Sequence, residues 1–282
     1  MITCTLMGGL GNQLFQIYFV LSYAIKNNLL HFVRFPKELP EWDKRNTYWN
    51  TIFKSISNIT LDNKELSHIQ IYNEGVFHYN EFNYIINNIN FHGYFQSYKY
   101  FENYKKNIYK LMDVTNLKEE CSNKYNDYIS DLSIHFRIGD YIKHEGYHPI
   151  LPLDYYKKAL TYLFSKNIVI NSITVFFEEE NNEEIDIYIT ELKNHISFTI
   201  KNDSQIVNLK KINTNIPDWE QLLIMSCCKN NIIANSSFSW WAAYLNFNES
   251  KKVCYPSKWF GSKLSNHDLK DLFPISWSKI NL

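Results

Sequence analysis

The segment His135-Phe136-Arg137-Ile138-Gly139-Asp140-Tyr141 gathers a histidine, an arginine and an aspartate just after the apolar run Leu132-Ser133-Ile134. That run reads as the end of a buried strand. Arg137 offers a planar, permanently charged fork that matches a phosphate bidentately. Gly139 lets the backbone turn where a side chain would clash. In an open α/β sheet, ligands bind beyond the carboxyl ends of strands, and the segment falls there. The chemistry suggested is diphosphate binding. The same residues also fit a plain surface ion pair between Arg137 and Asp140, which would contribute little.

Two further loops have comparable potential. Gly8-Gly9-Leu10-Gly11-Asn12-Gln13 lies between an expected strand and an expected helix. Gly9 and Gly11 allow close ligand approach, and a helix N-terminus brings free N–H groups and partial positive charge. The spacing is neither the dinucleotide fingerprint nor a P-loop. Asn12 and Gln13 supply amide donors and acceptors, although a tight strand–helix turn would use the same glycines. Asn235-Ser236-Ser237-Phe238-Ser239-Trp240-Trp241 also follows a strand and opens a helix. Its hydroxyls and N–H groups suit an anion, and Ser236 or Ser237 would equally serve as a helix cap. Trp240 and Trp241 read as core or cleft wall.

Other constellations point away from chemistry. Glu178-Glu179-Glu180 and Glu183-Glu184 read as a solvated helix start rather than a metal site. No Asp-x-Asp run is placed to hold a metal–diphosphate, and no Gly-x-Ser-x-Gly elbow occurs. His144, Glu145 and His148 form either a base region or a polar loop.

These loops must be positioned by regular elements. Apolar patterning predicts strands over 2–7, 30–35, 132–136, 173–177, 206–209, 231–234 and 252–255, with 91–97 as a strand running into a polar turn. Helices are expected over 12–26, 98–112, 153–166, 217–228 and 238–245, the fourth with Asp218 and Glu220 in its first turn. The alternation of strand and helix is the grammar of parallel sheets. It predicts an α/β protein of two Rossmann-like halves, 1–130 and 131–282, with the polar stretch 113–131 as the passage between them.

Composition narrows the function. Of 282 residues, 45% are hydrophobic, enough for a sizeable core. Twenty-nine basic residues balance 29 acidic ones, and no basic stripe favours nucleic acid. Aromatics reach 17%, with 21 Tyr, which suits sugar stacking or simply core filling. Heavy use of Asn, Lys, Ile and Tyr is what AT-rich coding would give, and it carries no chemistry. The five cysteines lack metal-finger spacing, and Cys227-Cys228 adjoin. They are expected as thiols in a reducing compartment. The first residues run straight into a strand without a basic leader, and no run of about 18 apolar residues predicts a membrane span. The expected location is cytoplasmic.

Four segments together resemble the bacterial-type α-1,2-fucosyltransferases of glycosyltransferase family 11. They are the loop from Gly8 to Gln13, Gly93-Tyr94-Phe95-Gln96-Ser97, the segment from His135 to Tyr141, and that from Asn235 to Trp241. Leu153-Asp154-Tyr155-Tyr156 and Pro256-Ser257-Lys258-Trp259-Phe260 also look familial. The resemblance implies a GT-B fold, two Rossmann-like domains facing a central cleft, the N-terminal one on the acceptor side. It implies a GDP-fucose donor, a glycan acceptor such as the 2-OH of a galactoside, inversion at the anomeric carbon, and no cofactor or metal. By similarity, Arg137 binds the diphosphate and stabilises departing GDP. His135 and Glu220 lie near the guanosine. Gly9, Gly11, Asn12, Gln13, Asn235, Ser236, Ser237, Phe238 and Ser239 contact the donor. Asp140, His144 and Glu145 are candidates for the base that an inverting transfer uses. Related fucosyltransferases place a glutamate at a similar distance from the motif histidine, which favours Glu145.

The chain departs from the family at Ile138, where many members carry a second arginine. The loss of a cation puts the sugar of the donor in question. Rival readings are the same fold with another GDP-sugar or acceptor, and a non-catalytic glycan-binding protein. Peripheral contact with a lipid-linked acceptor is compatible with the absence of a membrane span.

Overall fold

The computed structural model of the protein describes residues 1–282 apart from 67, 83 and 201–206. The chain divides into two compact units, Met1–Leu117 with His267–Pro274, and Lys118–Asn266 with Ile275–Leu282.

The first unit contains strands β1 (Ile2–Cys4), β2 (Phe35–Pro36), β3 (Thr60–Leu61), β4 (Gln70–Asn73) and β5 (Ile89–His92). β1, β5 and β4 form a parallel sheet in that order. β2 and β3 make a parallel pair, and a parallel bridge from Val33 to Ile2 lies just before β2. Helix α1 (Leu10–Lys26) begins two residues before the predicted start and is buried almost all round from Leu10 to Ala24. The strand expected over 30–35 is mostly a 3-10 turn, Leu30–Phe32. Leu30 and Phe32 are exposed there, and only the end of the run, Val33 and Phe35, is buried in sheet pairing. The helix expected over 98–112 is two 3-10 turns followed by α2 (Lys105–Leu111). Phe101 sits between the turns with φ of −131°, outside the helical region, and its ring is wholly buried.

The division at 117/118 differs from the boundary expected at 130/131. The polar stretch is not a passage but contains α3 (Val114–Lys124). From within α3, the buried ammonium of Lys118 donates to the carbonyl of Ser226 at 3.0 Å and to that of Leu245. These contacts tie the helix to the second unit. Conversely, 267–274 returns to the first unit, where Ser97 Oγ donates to the Asp271 carbonyl at 2.6 Å.

The second unit is one six-stranded sheet of β6 (Leu132–His135), β7 (Ser172–Phe176), β8 (Asn208–Lys211), β9 (Asn230–Ile232), β10 (Val253–Pro256) and β11 (Ser278–Ile280). All pairings are parallel, in the order β8-β7-β6-β9-β10-β11. Counted from β6, that is the doubly wound order 3-2-1-4-5-6. Residue 206, the first of an expected strand, lies outside the described residues. β11 was not predicted, because Ser278-Lys279-Ile280 shows no apolar pattern. Helices α4 (Leu153–Ser165), α5 (Asn182–Ile200), α6 (Asp218–Cys227) and α7 (Ser237–Tyr244) complete the unit. Its core includes Ile134, Val175, Ile232, Trp240 and Trp241, each at most 1% exposed, so both tryptophans are core residues. Buried amides join the central strands. Asn231 donates to Ser133 Oγ at 2.7 Å and to the Met225 carbonyl at 3.0 Å, and Asn246 donates to Asn231 Oδ1 at 2.9 Å.

In the first unit, Glu74 just past β4 accepts the backbone N–H of Tyr94 at 2.7 Å and of Phe95 at 3.0 Å. A Cβ at Gly93 would collide with this carboxylate, and Phe95 takes a φ of +52° to complete the turn. Burial pushes the Glu74 carboxyl up from 4.5 to about 6, outweighing the two N–H donors that favour the anion. The folded state therefore binds this proton more tightly than the unfolded chain. The resulting stabilisation is complete below pH 4.5 and is lost as the pH rises through about 6. The difference amounts to at most about 2 kcal/mol. Glu74→Gln should flatten this part of the wild-type profile in thermal melts between pH 4 and 7; an unchanged slope would assign the dependence elsewhere.

Candidate functional site

In a doubly wound sheet the connections leave in opposite directions on either side of the first strand, opening a crevice at its carboxyl end. In the second unit this switch point lies between β6 and β9. Residues 135–141 extend from β6, and residues 235–239 follow β9. The order of strands thus brings two separated motifs to one crevice. Tyr141 bridges them, its hydroxyl donating to the Asn235 carbonyl at 3.0 Å. The His135 and Phe238 rings lie 5.6 Å apart across the same pair of strands.

Arg137 sits over the Tyr141 ring at 5.1 Å, a cation–π contact. Its guanidinium is held by two carboxylates, Asp140 through Nη2 at 2.5 Å and Glu178 through Nη1. The ion pair with Asp140 exists as one sequence reading allowed, but it is only part of the arrangement. Glu178 lies just beyond β7, next to β6 in the sheet, and its second oxygen accepts the Ile138 N–H at 3.4 Å. Asn181 Oδ1 accepts the Gly139 N–H at 3.0 Å. The run starting at Glu178 is therefore not merely a solvated helix start: its first member is part of the Arg137 cluster. Local composition could not reveal this, since the contact depends on β6 and β7 being neighbours.

His135 is buried, and its carbonyl accepts the Tyr156 hydroxyl at 3.0 Å. Burial, with the Arg137 charge adding to it, pushes the imidazole down to about 3, so it is neutral at physiological pH. Its Nδ1 is buried without a hydrogen-bond partner, and so is Oδ1 of Asn235. Such orphans are uncommon in folded proteins, and they are places where a bound polar group would be satisfied. The other end of the Asn235 amide donates to the carbonyls of Pro149 at 2.9 Å and Trp259 at 3.2 Å. Ser236 caps α7, accepting the Phe238 N–H at 3.3 Å, and Ser239 Oγ is turned back to the Ser236 carbonyl at 3.4 Å. Capping accounts for Ser236 and leaves the first-turn N–H groups of α7 directed out of the helix end. Ser237 and Phe238 are half-buried.

The three base candidates are placed differently. Asp140 is committed to Arg137, whereas His144 and Glu145 are exposed. His148 from the same loop stacks on Tyr141 at 5.0 Å. Burial, its largest influence, lowers its pKa. Glu220 does not present an open acceptor. One oxygen pairs with Lys124 at 2.8 Å and the other accepts the Tyr125 hydroxyl at 2.8 Å. It anchors α6 to the end of α3.

In the first unit, two motifs again meet at the carboxyl ends of adjacent strands. The glycine loop follows β1, and the turn from Gly93 to Ser97 follows β5. Gln96 Nε2 donates to Asn12 Oδ1 at 2.9 Å and joins them. Gly8 has φ of +79°, and a Cβ there would lie 2.5 Å from the Asn12 amide nitrogen. Gly9 is the N-cap of α1 and has no side-chain cap, so that helix end offers bare N–H groups. Gly11 and Gln13, in contrast, are buried. Gln13 Nε2 donates to the carbonyls of Gly8 at 2.9 Å and Asn46 at 2.7 Å. Its Nε2 shapes the loop from within, whereas Gly9 and Asn12 are half-buried.

Among the described residues, no group of three or more His, Cys, Asp or Glu is arranged to hold a metal ion. Among the same residues, no helix is long and apolar enough to cross a membrane.

Two parallel α/β units, one of them doubly wound with an arginine at its switch point, define a protein built on nucleotide-binding architecture. The chain belongs to glycosyl transferase family 11, whose model matches residues 1–281. It is 36% identical to the O-antigen biosynthesis glycosyltransferase WbnK of Escherichia coli over 133 residues, 45% of this chain and 38% of that protein. It is 28% identical to an alpha-1,2-colitosyltransferase of Escherichia coli over 198 residues, 68% of this chain and 62% of that protein. The matches thus span less than two thirds of either relative. Among solved structures, a mutant of Arabidopsis thaliana FUT1 in complex with GDP aligns with a TM-score of 0.47 at 10% identity, covering 86% of this chain and 68% of that one.

Asn235 holds the switch-point loop to two others through buried hydrogen bonds. Asn235→Ala should cost about 2 kcal/mol by leaving two carbonyls unpaired. Urea denaturation measures it; a loss under about 0.5 kcal/mol, the range of ordinary surface substitutions, would contradict the assigned role.

Proposed function

We propose that the protein is an inverting glycosyltransferase that moves L-fucose from GDP-fucose to a glycan hydroxyl, forming an α-1,2 linkage. The observation that carries the nucleotide-diphosphate part is the switch point itself. There, the segment carrying Arg137 and the one that opens α7 leave adjacent strands and are joined through Tyr141, and two buried polar atoms in them, Nδ1 of His135 and Oδ1 of Asn235, lack partners. A permanent cation and a helix N-terminus together suit two adjacent phosphates. They also suit the charge that develops on GDP as the glycosidic bond breaks. Arg137 thus serves as both binder and leaving-group stabiliser, a task elsewhere given to a divalent ion, and the transfer proceeds without a metal. Neutral His135 offers Nδ1 to a polar group of the donor, whereas Glu220, tied to Lys124 and Tyr125, is not the guanine acceptor. The exposed Glu145 and His144 are free to approach an acceptor hydroxyl, and Asp140 is better read as a support for Arg137.

A second donor is favoured by two observations. One relative is named as an alpha-1,2-colitosyltransferase. In addition, Ile138 puts a neutral, buried side chain beside Arg137. The same scaffold would then transfer a different GDP-linked sugar to the same kind of hydroxyl.

Arg137→Ala should lower transfer at least about a hundredfold, the usual scale for losing one preorganised oxyanion-stabilising donor, while thermal melting shows a folded protein. Turnover retained within a few-fold would remove Arg137 from the mechanism. Transfer should persist in EDTA, and a strict requirement for Mn²⁺ or Mg²⁺ would overturn the metal-free reading. A thermal-shift comparison of GDP, UDP and CMP should show stabilisation by GDP; preference for UDP would refute the base assignment.

A further inference from the structure

One donor that the proposed function assigns to a diphosphate, Arg137 Nη1, is already in use, and so are the two backbone N–H groups that follow it. Arg137 Nη1 faces Glu178, the Ile138 N–H points to the second Glu178 oxygen at 3.4 Å, and the Gly139 N–H donates to Asn181 Oδ1 at 3.0 Å. Three consecutive residues therefore present a charged fork and two backbone N–H groups to one four-residue segment, from Glu178 to Asn181. A carboxylate accepting from a guanidinium and from an adjacent amide resembles, in charge and in acceptor geometry, a phosphate in the same corner. Gly139 fits this packing closely. A Cβ there would lie 3.1 Å from Glu180 Oε1 and 3.4 Å from Glu178 carbons.

We propose that Glu178 is an internal stand-in for the donor's phosphate, which occupies Arg137 in the ligand-free protein and must be displaced when the nucleotide binds. This rests on the diphosphate reading of Arg137. The contact is partly exposed, with side-chain accessibilities of 21% for Arg137 and 20% for Glu178, so water can assist the exchange. Asp140 remains on Nη2 and keeps the guanidinium oriented while Nη1 changes partner. With Ile138 contributing no second cation, the corner has one fork for which the carboxylate and the diphosphate compete. The binding-competent fraction is set by this competition, and apparent affinity falls in proportion. Departing GDP is likewise replaced by a group waiting within the chain, which favours product release.

The test is GDP binding by calorimetry to wild type, Glu178→Gln, Glu178→Ala and Arg137→Ala, with pyrophosphate and guanosine as separate probes. Both Glu178 substitutions should lower the Kd for GDP and pyrophosphate by about threefold to tenfold, the scale of a competing, partly exposed ion pair. Guanosine binding should not change. Weaker GDP binding in Glu178→Gln, or a loss confined to guanosine, would make Glu178 a ligand of the donor and overturn the proposal. Unchanged affinity in both variants would overturn it as well. The Arg137→Ala arm separates the two levels: if that variant binds pyrophosphate as wild type does, the diphosphate reading itself fails. If it loses pyrophosphate while the Glu178 variants gain nothing, only the stand-in role fails.

Discussion

A parallel sheet sends the carboxyl ends of all its strands to the same edge, and this constraint underlies everything the chain can do. Each half of the molecule obeys it. In the second unit the order β8-β7-β6-β9-β10-β11 makes connections diverge on the two sides of β6. Loops that are a hundred residues apart in the chain are thereby brought to one crevice. The segment carrying Arg137 and the loop before α7 are joined there through Tyr141 and Asn235, without either being specified by the other's local sequence. The first unit repeats the principle on a smaller scale with the loops after β1 and β5, joined by Gln96 and Asn12.

The hydrogen bonds around these loops divide their residues into two kinds. Some hold the corner in shape: Gln13 inside the glycine loop, the amide nitrogen of Asn235, Ser236 at its cap, and Tyr156 on the His135 carbonyl. Others keep unused capacity: Nδ1 of His135, Oδ1 of Asn235, Oε1 of the same Gln13 and the uncapped end of α1. Rigid support beneath unspent polar groups is the arrangement expected of a preorganised site, because the strain and desolvation of assembling it are met during folding.

The sequence made the loops legible because their chemistry is local. A glycine turn, an arginine after a strand and a serine at a helix start carry their own signals, and each was found within a residue or two of its observed place. The α/β class, the helices α1, α4, α6 and α7, and the family were also readable. What escaped depended on partners distant in sequence. Glu178 looked like one of several solvated carboxylates until β7 was placed beside β6. Glu220 looked available until Lys124 and Tyr125 closed on it. Gln13 reads as a loop residue like its neighbour Asn12, yet one residue of helical rotation turns it into the core. The division falls earlier than expected because α3 is mostly polar in sequence, and what holds it to the second unit are bonds of Lys118, Cys121 and Lys124 to α6, a partner about a hundred residues away.

The amides beneath the crevice have one more consequence. Ser133, Asn231 and Asn246 form a buried chain in which the Asn231–Ser133 bond crosses from β9 to β6 and requires a single alignment of those two strands, while Asn246 braces Asn231 from beyond α7. An apolar pair such as Ile134 and Ile232 would tolerate many neighbours, since dispersion has little directional preference. Amides do not, because an offset of one residue would bury their polar atoms unpaired. The two strands that carry the crevice are therefore keyed to each other. In a chain so rich in asparagine, a residue usually left to turns has become the key that fixes which loop faces which.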